Sequence, residues 1–123
     1  MKRTKRSKLQ KTIFKKLGLS KLGFKQERWI GPYRVDCVNY DSRVVIEVNG
    51  DAVHGNPRVY AAEDDLPYDI KAGDKWDQDA KRLDFLESHD WFVVTIWESD
   101  DLKLKKKLIE MVLRVCQAKM IKN

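Results

Sequence analysis

The stretch Tyr33-Arg34-Val35-Asp36-Cys37-Val38-Asn39-Tyr40-Asp41-Ser42-Arg43-Val44-Val45-Ile46-Glu47-Val48-Asn49-Gly50 decides the fold. Two apolar runs, residues 33–38 and 44–49, flank five residues rich in turn formers, so the segment reads as a β-hairpin. Side chains alternate between the faces of a strand, so Glu47 and Asn49 share a face with Val45, and Asp36 shares one with Arg34 and Val38. A register that puts those faces on the same side brings two carboxylates together beside an amide. Hard cations such as Mg²⁺ take that kind of oxygen cluster. A single charge in a strand ordinarily sits on the solvent face of a half-covered sheet. Here Val44, Ile46 and Val48 on one face and Val45 on the other predict a strand covered on both sides, where an unpaired carboxylate is costly.

Two further groups follow. Asn49-Gly50 breaks the second strand, and His54 lies just beyond it. The spacing predicts a helix over residues 75–88 whose positions 76, 79, 80, 83, 86 and 87 form one stripe, which turns Asp79 toward the core side. An imidazole is suited to moving protons near neutral pH, so His54 is a candidate general base with Asp79 orienting its ring. A lone histidine is more often structural than catalytic; the nearby Asp36, Glu47 and Asp79 favour the catalytic reading. His89, in Ser88-His89-Asp90, reads as a capping or surface residue.

The rest of the chain supplies a frame. Leu9, Ile13, Phe14 and Leu17 recur at helical spacing between lysines and predict an amphipathic helix over residues 7–18, ended by Gly18. Residues 24–30 read as an edge strand. Residues 55–74 carry Pro57, Pro67 and Gly73 without a period and are expected to form a long loop. Its Arg58, Tyr60, Tyr68 and Lys71 could meet nucleic acid, while Glu63-Asp64-Asp65 argues for solvent. Residues 91–97 form a nearly continuous apolar strand of the kind buried on both faces. Ser99-Asp100-Asp101 supplies caps for a last helix, with Leu104, Leu108, Met111, Val112 and Val115 expected inward. Lys103, Lys105, Lys106 and Lys107 oppose the macrodipole at its start, serving either phosphate contact or solubility. The order α, β, β-hairpin, α, β, α predicts an α/β fold, a mixed sheet sandwiched by helices in one domain spanning residues 1–123.

Net charge is +6, and its distribution says more than its size. Residues 1–25 hold ten Lys or Arg and no acid, which leaves 15 basic against 19 acidic residues, a net −4, in the remainder. A basic arm, about residues 1–8, is thus joined to a mildly acidic body. Lys2, Arg3, Lys5, Arg6, Lys8, Lys11 and Lys15, with Arg34 in the hairpin, are the candidate contacts to a DNA phosphate backbone; a solvated tail or a targeting tract is the alternative. No apolar run approaches the roughly 20 residues that span a membrane, which predicts a soluble, intracellular protein. Cys37 and Cys116 have no metal-ligand spacing around them, so free thiols are expected and a structural zinc is not.

Arg34-Val35-Asp36, then Val45-Ile46-Glu47-Val48-Asn49-Gly50 with His54, then Asp79 with Leu83 and Leu86, and finally Asp90-Trp91-Phe92-Val93-Val94 running into Ile96-Trp97-Glu98 together resemble the very-short-patch-repair (Vsr-like) branch of the PD-(D/E)XK nuclease superfamily. The resemblance covers about half of the chain. It implies a restriction-endonuclease-like fold and a Mg²⁺ site, with Mn²⁺ as substitute, held by Asp36 with Glu47 or the Val48 carbonyl. Related phage and intron homing endonucleases combine an earlier glutamate with the strand aspartate, the histidine and a helix aspartate, which would be Glu27, Asp36, His54 and Asp79 here. Asn49 stands where the superfamily usually has a lysine. The activity implied is metal-dependent nicking of duplex DNA, of homing or repair type, by a monomeric cytoplasmic protein of bacterial or phage origin. The alternatives are an inactive DNA-binding module and a nuclease subunit that needs an accessory partner for target choice.

Overall fold

In the computed structural model the backbone of residues 5–122 and the side chains of residues 8–119 are described. Lys2 and Arg3, and the side chains of Lys5 and Arg6, lie outside them. The hairpin forms where its pattern predicts it and becomes the middle of a four-stranded sheet. Strands β2 (Tyr33–Asn39) and β3 (Val44–Asn49) pair antiparallel through Cys37↔Ile46, Val38↔Val45 and Asn39↔Val44. The turn between them is closed by Asn39, whose Oδ1 accepts the Ser42 N–H at 3.0 Å, with Arg43 in the left-handed region at φ 57°. Strand β1 (Lys25–Ile30) lies outside β2, and β6 (Phe92–Trp97) runs parallel to β3, giving the order β1-β2-β3-β6.

Alternation on these strands fills two layers. On one face Val44, Ile46, Val48, Val94 and Ile96 meet Ile13 of α1 (Lys5–Lys16), Leu17 just after it, and Ile109, Val112 and Leu113 of α4 (Leu102–Lys122). On the other, Val38, Val45 and Trp91 meet Leu86 of α3 (Ala72–Ser88). The chain is therefore a mixed α/β domain with helices on both faces of a mixed sheet, and α1 and α3 lie on opposite faces. Among the described residues no helix is long and apolar enough to cross a membrane, and both cysteines are free.

The predicted loop over residues 55–74 is largely structured. A single-turn helix α2 (Asp51–His54) precedes it, and β4 (Asp65–Leu66) and β5 (Ile70–Lys71) make a small hairpin through it, with Tyr68 and Asp69 at φ 69° and 57° in its turn. Helix α3 starts at Ala72, three residues ahead of the expected start. Local backbone and side-chain bonds order the segment, such as Asp64 Oδ2 accepting the Ala61 N–H at 2.7 Å and the Ala72 N–H reaching the Asp64 carbonyl at 2.9 Å. Leu66 is the buried anchor. No period of apolar residues announces such an arrangement.

Three faces differ from expectation. The apolar run of the last strand predicts cover on both sides, but β6 is an edge strand and its Phe92 is half exposed. On α3, Ala80 and Glu87 point to solvent, while Arg82 and Phe85 turn inward. On α4 Val112 docks on the sheet as expected, but Leu104, Leu108, Met111 and Val115 face outward, and Leu102, Ile109, Leu113 and Cys116 dock in their place. The phase of α4 is set at its start. Asp101 Oδ1 caps the N–H groups of Lys103 and Leu104, and Lys105 is tied to the Thr95 carbonyl at 3.1 Å and to Asp100 at 3.3 Å. Lys105 and the positions that follow it at helical spacing must then face the sheet.

Candidate active site

The β2–β3 ladder stops at Cys37↔Ile46, one step before Asp36 would face Glu47. There the Asp36 side chain takes over from the backbone: its Oδ2 accepts the Val48 N–H at 2.7 Å, and the Asp36 N–H approaches Glu47 Oε2 at 3.4 Å. The β1–β2 ladder also skips this position, because Glu27 adopts φ 52°, a conformation unfavourable for a residue with a side chain. Gln10, buried in α1, holds the Asp36 carbonyl at 2.8 Å. The strand is thus opened locally and fixed from three sides.

The opening brings two buried carboxyl groups into hydrogen-bond contact, with Asp36 6% and Glu47 7% exposed. Burial, and then the Asp36 charge beside it, push the Glu47 carboxyl well above its ordinary range, while Arg82 pulls the other way. Burial and the same carboxylates push the Cys37 thiol up as well, which keeps it inert. Two like charges this close ionise together only when a cation compensates them. Among the described residues no three His, Cys, Asp or Glu side chains converge as a closed metal cage. Mg²⁺ does not ask for one, since it is commonly held by one or two carboxylates together with waters and substrate phosphate oxygens. Asp36 and Glu47 fit that lean set. Val48 contributes its N–H to Asp36 here.

His54 ends α2 and is 5% exposed. The turn that carries it is locked: the Asp51 N–H donates to Glu98 Oε1 at 3.2 Å, and Asn56 Nδ2 donates to Asp51 Oδ1 at 2.9 Å. Gly55 closes it at φ 63°, where a Cβ would sit 2.9 Å from Leu66 Cδ1. The His54 ring meets Asp79 Oδ2 through Nδ1 at 2.9 Å. A carboxylate oxygen only accepts, so Nδ1 carries the proton and the Nε2 lone pair is the free one in the neutral ring. That Nε2 is buried and has no partner. A ring oriented by a carboxylate with its second nitrogen uncommitted is the electronic arrangement of a general base.

Glu47, from the first pair, and both members of the second line one cleft of about 470 Å³ between α3 and strands β2, β3 and β6, while Asp36 meets Glu47 without lining it. Glu47, Asn49, His54, Lys75, Asp79 and Arg82 are on its wall, along with Tyr33, Trp76 and Trp97. The sequence pattern does not single out Arg82. Its Nε and Nη2 lie 2.9 and 2.7 Å from Glu47 Oε1, Nη2 also donates to the Arg34 carbonyl, and the guanidinium sits 5.4 Å from the centre of the Tyr33 ring. The available signal is spacing: Lys75, Asp79 and Arg82 fall at i, i+4 and i+7 on one helix face. Lys75 Nζ is 3.7 Å from Asp79 Oδ1.

Other predicted residues are elsewhere. Glu27 does not line the cleft and pairs with Arg34 at 2.9 Å, whereas Glu47, Asn49, His54 and Asp79 meet at the cleft and Asp36 joins them through its contact with Glu47. Lys8 and Lys15 are exposed on α1 and Lys11 is partly buried, all across the sheet from the cleft. Arg58 is engaged by Asp100 at 2.7 Å. No family model, curated protein or solved structure matches the chain.

Proposed function

We propose that this protein is a metal-dependent DNA endonuclease of the Vsr-like PD-(D/E)XK kind, nicking one phosphodiester bond of a duplex in homing or repair. One observation carries the reading: the buried Glu47 carboxyl, in contact with Asp36, and the His54–Asp79 pair, whose Nε2 has no partner, line the same cleft. Mg²⁺ or Mn²⁺ held by Asp36 and Glu47 would neutralise the scissile phosphate and acidify a water. Within the chain, His54 Nε2 accepts the proton of the attacking water, and Asp79 holds the ring in the tautomer that allows this. Arg82 and Lys75 add positive charge on the wall where a phosphate would lie. Asn49 can orient a water or a phosphate oxygen through its amide.

A second reading, a DNA-binding module without catalysis, is favoured by the Arg82–Glu47 pair, which already compensates one carboxylate. The test is supercoiled plasmid with Mg²⁺, with Mn²⁺ and with chelator, for the wild type and Asp36→Asn. Nicked circles that need the cation and vanish in Asp36→Asn support the endonuclease. Retarded but uncut plasmid under every condition supports the binding module.

A further inference from the structure

The outward stripe of α4 is unexplained by the fold. Leu104, Leu108, Met111 and Val115 are 64%, 37%, 49% and 51% exposed, although the helix already docks on the sheet through other residues. They are spaced 4-3-4, the pattern of a seam that receives another helix. Isolated apolar residues on a surface mean little, but a row of four along one helix marks a contact site. Unbranched Met111 in the row suits an adaptable fit.

Charge selects the occupant. On the helical wheel Lys103, Lys107 and Arg114 border the stripe on its solvent side and Lys119 lies on the other, while Glu110 is the single acid of α4. A second copy laid antiparallel along the seam would oppose Lys107 and Arg114 to their own counterparts, a like-charge cost. Nucleic acid has no use for an aliphatic row without donors. We propose that this face of α4 docks an acidic amphipathic helix of a partner protein, with Leu, Ile or Val at matching 4-3 spacing and Glu or Asp facing Lys107 and Arg114. The surface lies across the sheet from the cleft and is independent of the nuclease reading.

The test uses the full chain and two labelled designed helices with the same leucine seam, one flanked by Glu and one by Lys, read by fluorescence anisotropy. The Glu-flanked helix should bind, more weakly as salt rises, and the Lys-flanked one should not. Leu108→Glu with Met111→Glu should lower that affinity about tenfold or more, and Lys107→Glu with Arg114→Glu should move the preference to the Lys-flanked helix. The charge swap keeps the test decisive if the first pair of changes harms folding. Equal binding of both helices, or none, overturns the proposal. So does a dimer of the chain alone that Leu108→Glu disperses in sedimentation, or capture by phosphatidylserine vesicles that Leu108→Glu abolishes.

Discussion

The two faces of the sheet use the same strand differently. On β3, Val44, Ile46 and Val48 point into a dry layer closed by α1 and α4, while Val45, Glu47 and Asn49 point toward α3. The dry side packs aliphatic side chains against aliphatic side chains. The α3 side has Leu86 and Trp91 at one end only; at the other, Trp76, Asp79 and Arg82 reach across with polar bonds and leave the cleft between helix and sheet. One face supplies the stability that lets the other hold buried charge.

The sharpest break of this comparison is chemical. His54→Ala should lower the cleavage rate by roughly 10² to 10⁴, the usual worth of a positioned base, with little change in DNA affinity. Asp79→Asn should cost less, and the double variant should be no worse than His54→Ala, because the two act as one unit. Single-turnover rates at saturating protein measure this. Normal cutting by His54→Ala would assign the histidine to packing.

Next comes stability. Ile109→Ala removes a fully buried side chain from the dry face and should cost about 2 to 5 kcal/mol in urea unfolding. Leu83→Ala, at the half-open wall of the cleft, should cost less than about 1 kcal/mol. Equal costs would mean that the two faces are packed alike.

A smaller effect should appear with pH in metal-free protein. The folded Glu47 carboxyl is raised above its ordinary 4.5, so the folded state keeps a proton that the unfolded chain has released. Its contribution is fully present below that ordinary value and is lost as pH rises through the raised one. Glu47→Gln should flatten this fall, and so should excess Mg²⁺, which favours the ionised pair. A wild-type slope that matches Glu47→Gln in thermal melts from pH 4 upward, a range about the ordinary carboxyl value, would show the pair to be uncoupled.

Much of this is readable from residues alone, and the failures have physical reasons. The hairpin, the order of the main elements, the Asp36–Glu47 meeting and the turn of Asp79 toward the core side follow from alternation and helical spacing, which are local and periodic. Arg82 escapes such a reading because its importance lies in a contact with Glu47, 35 positions away in the chain. The docking side of α4 is misjudged because the helix has two apolar stripes, and only the Asp101 cap and the Lys105 tether decide between them. The β4–β5 hairpin is held by local polar bonds that leave no period. Glu27 reads as an acid near the site, yet its partner is Arg34.

The smallest expected effect asks whether DNA uses one face or both. Lys8 and Lys15 are exposed on α1, across the sheet from the cleft, so a duplex seated at the cleft reaches them only by passing around the sheet. If it does, Lys8→Ala with Lys15→Ala should make the slope of log affinity against log salt shallower by up to about 0.9 for each phosphate no longer neutralised. The cleavage rate at saturating protein and the melting temperature should hardly move, because neither lysine touches the cleft or the core. An unchanged slope would confine the DNA to the α3 side and leave the phosphates to residues such as Lys75, Arg82 and Arg34. In that case Lys75→Ala should carry the change in slope instead.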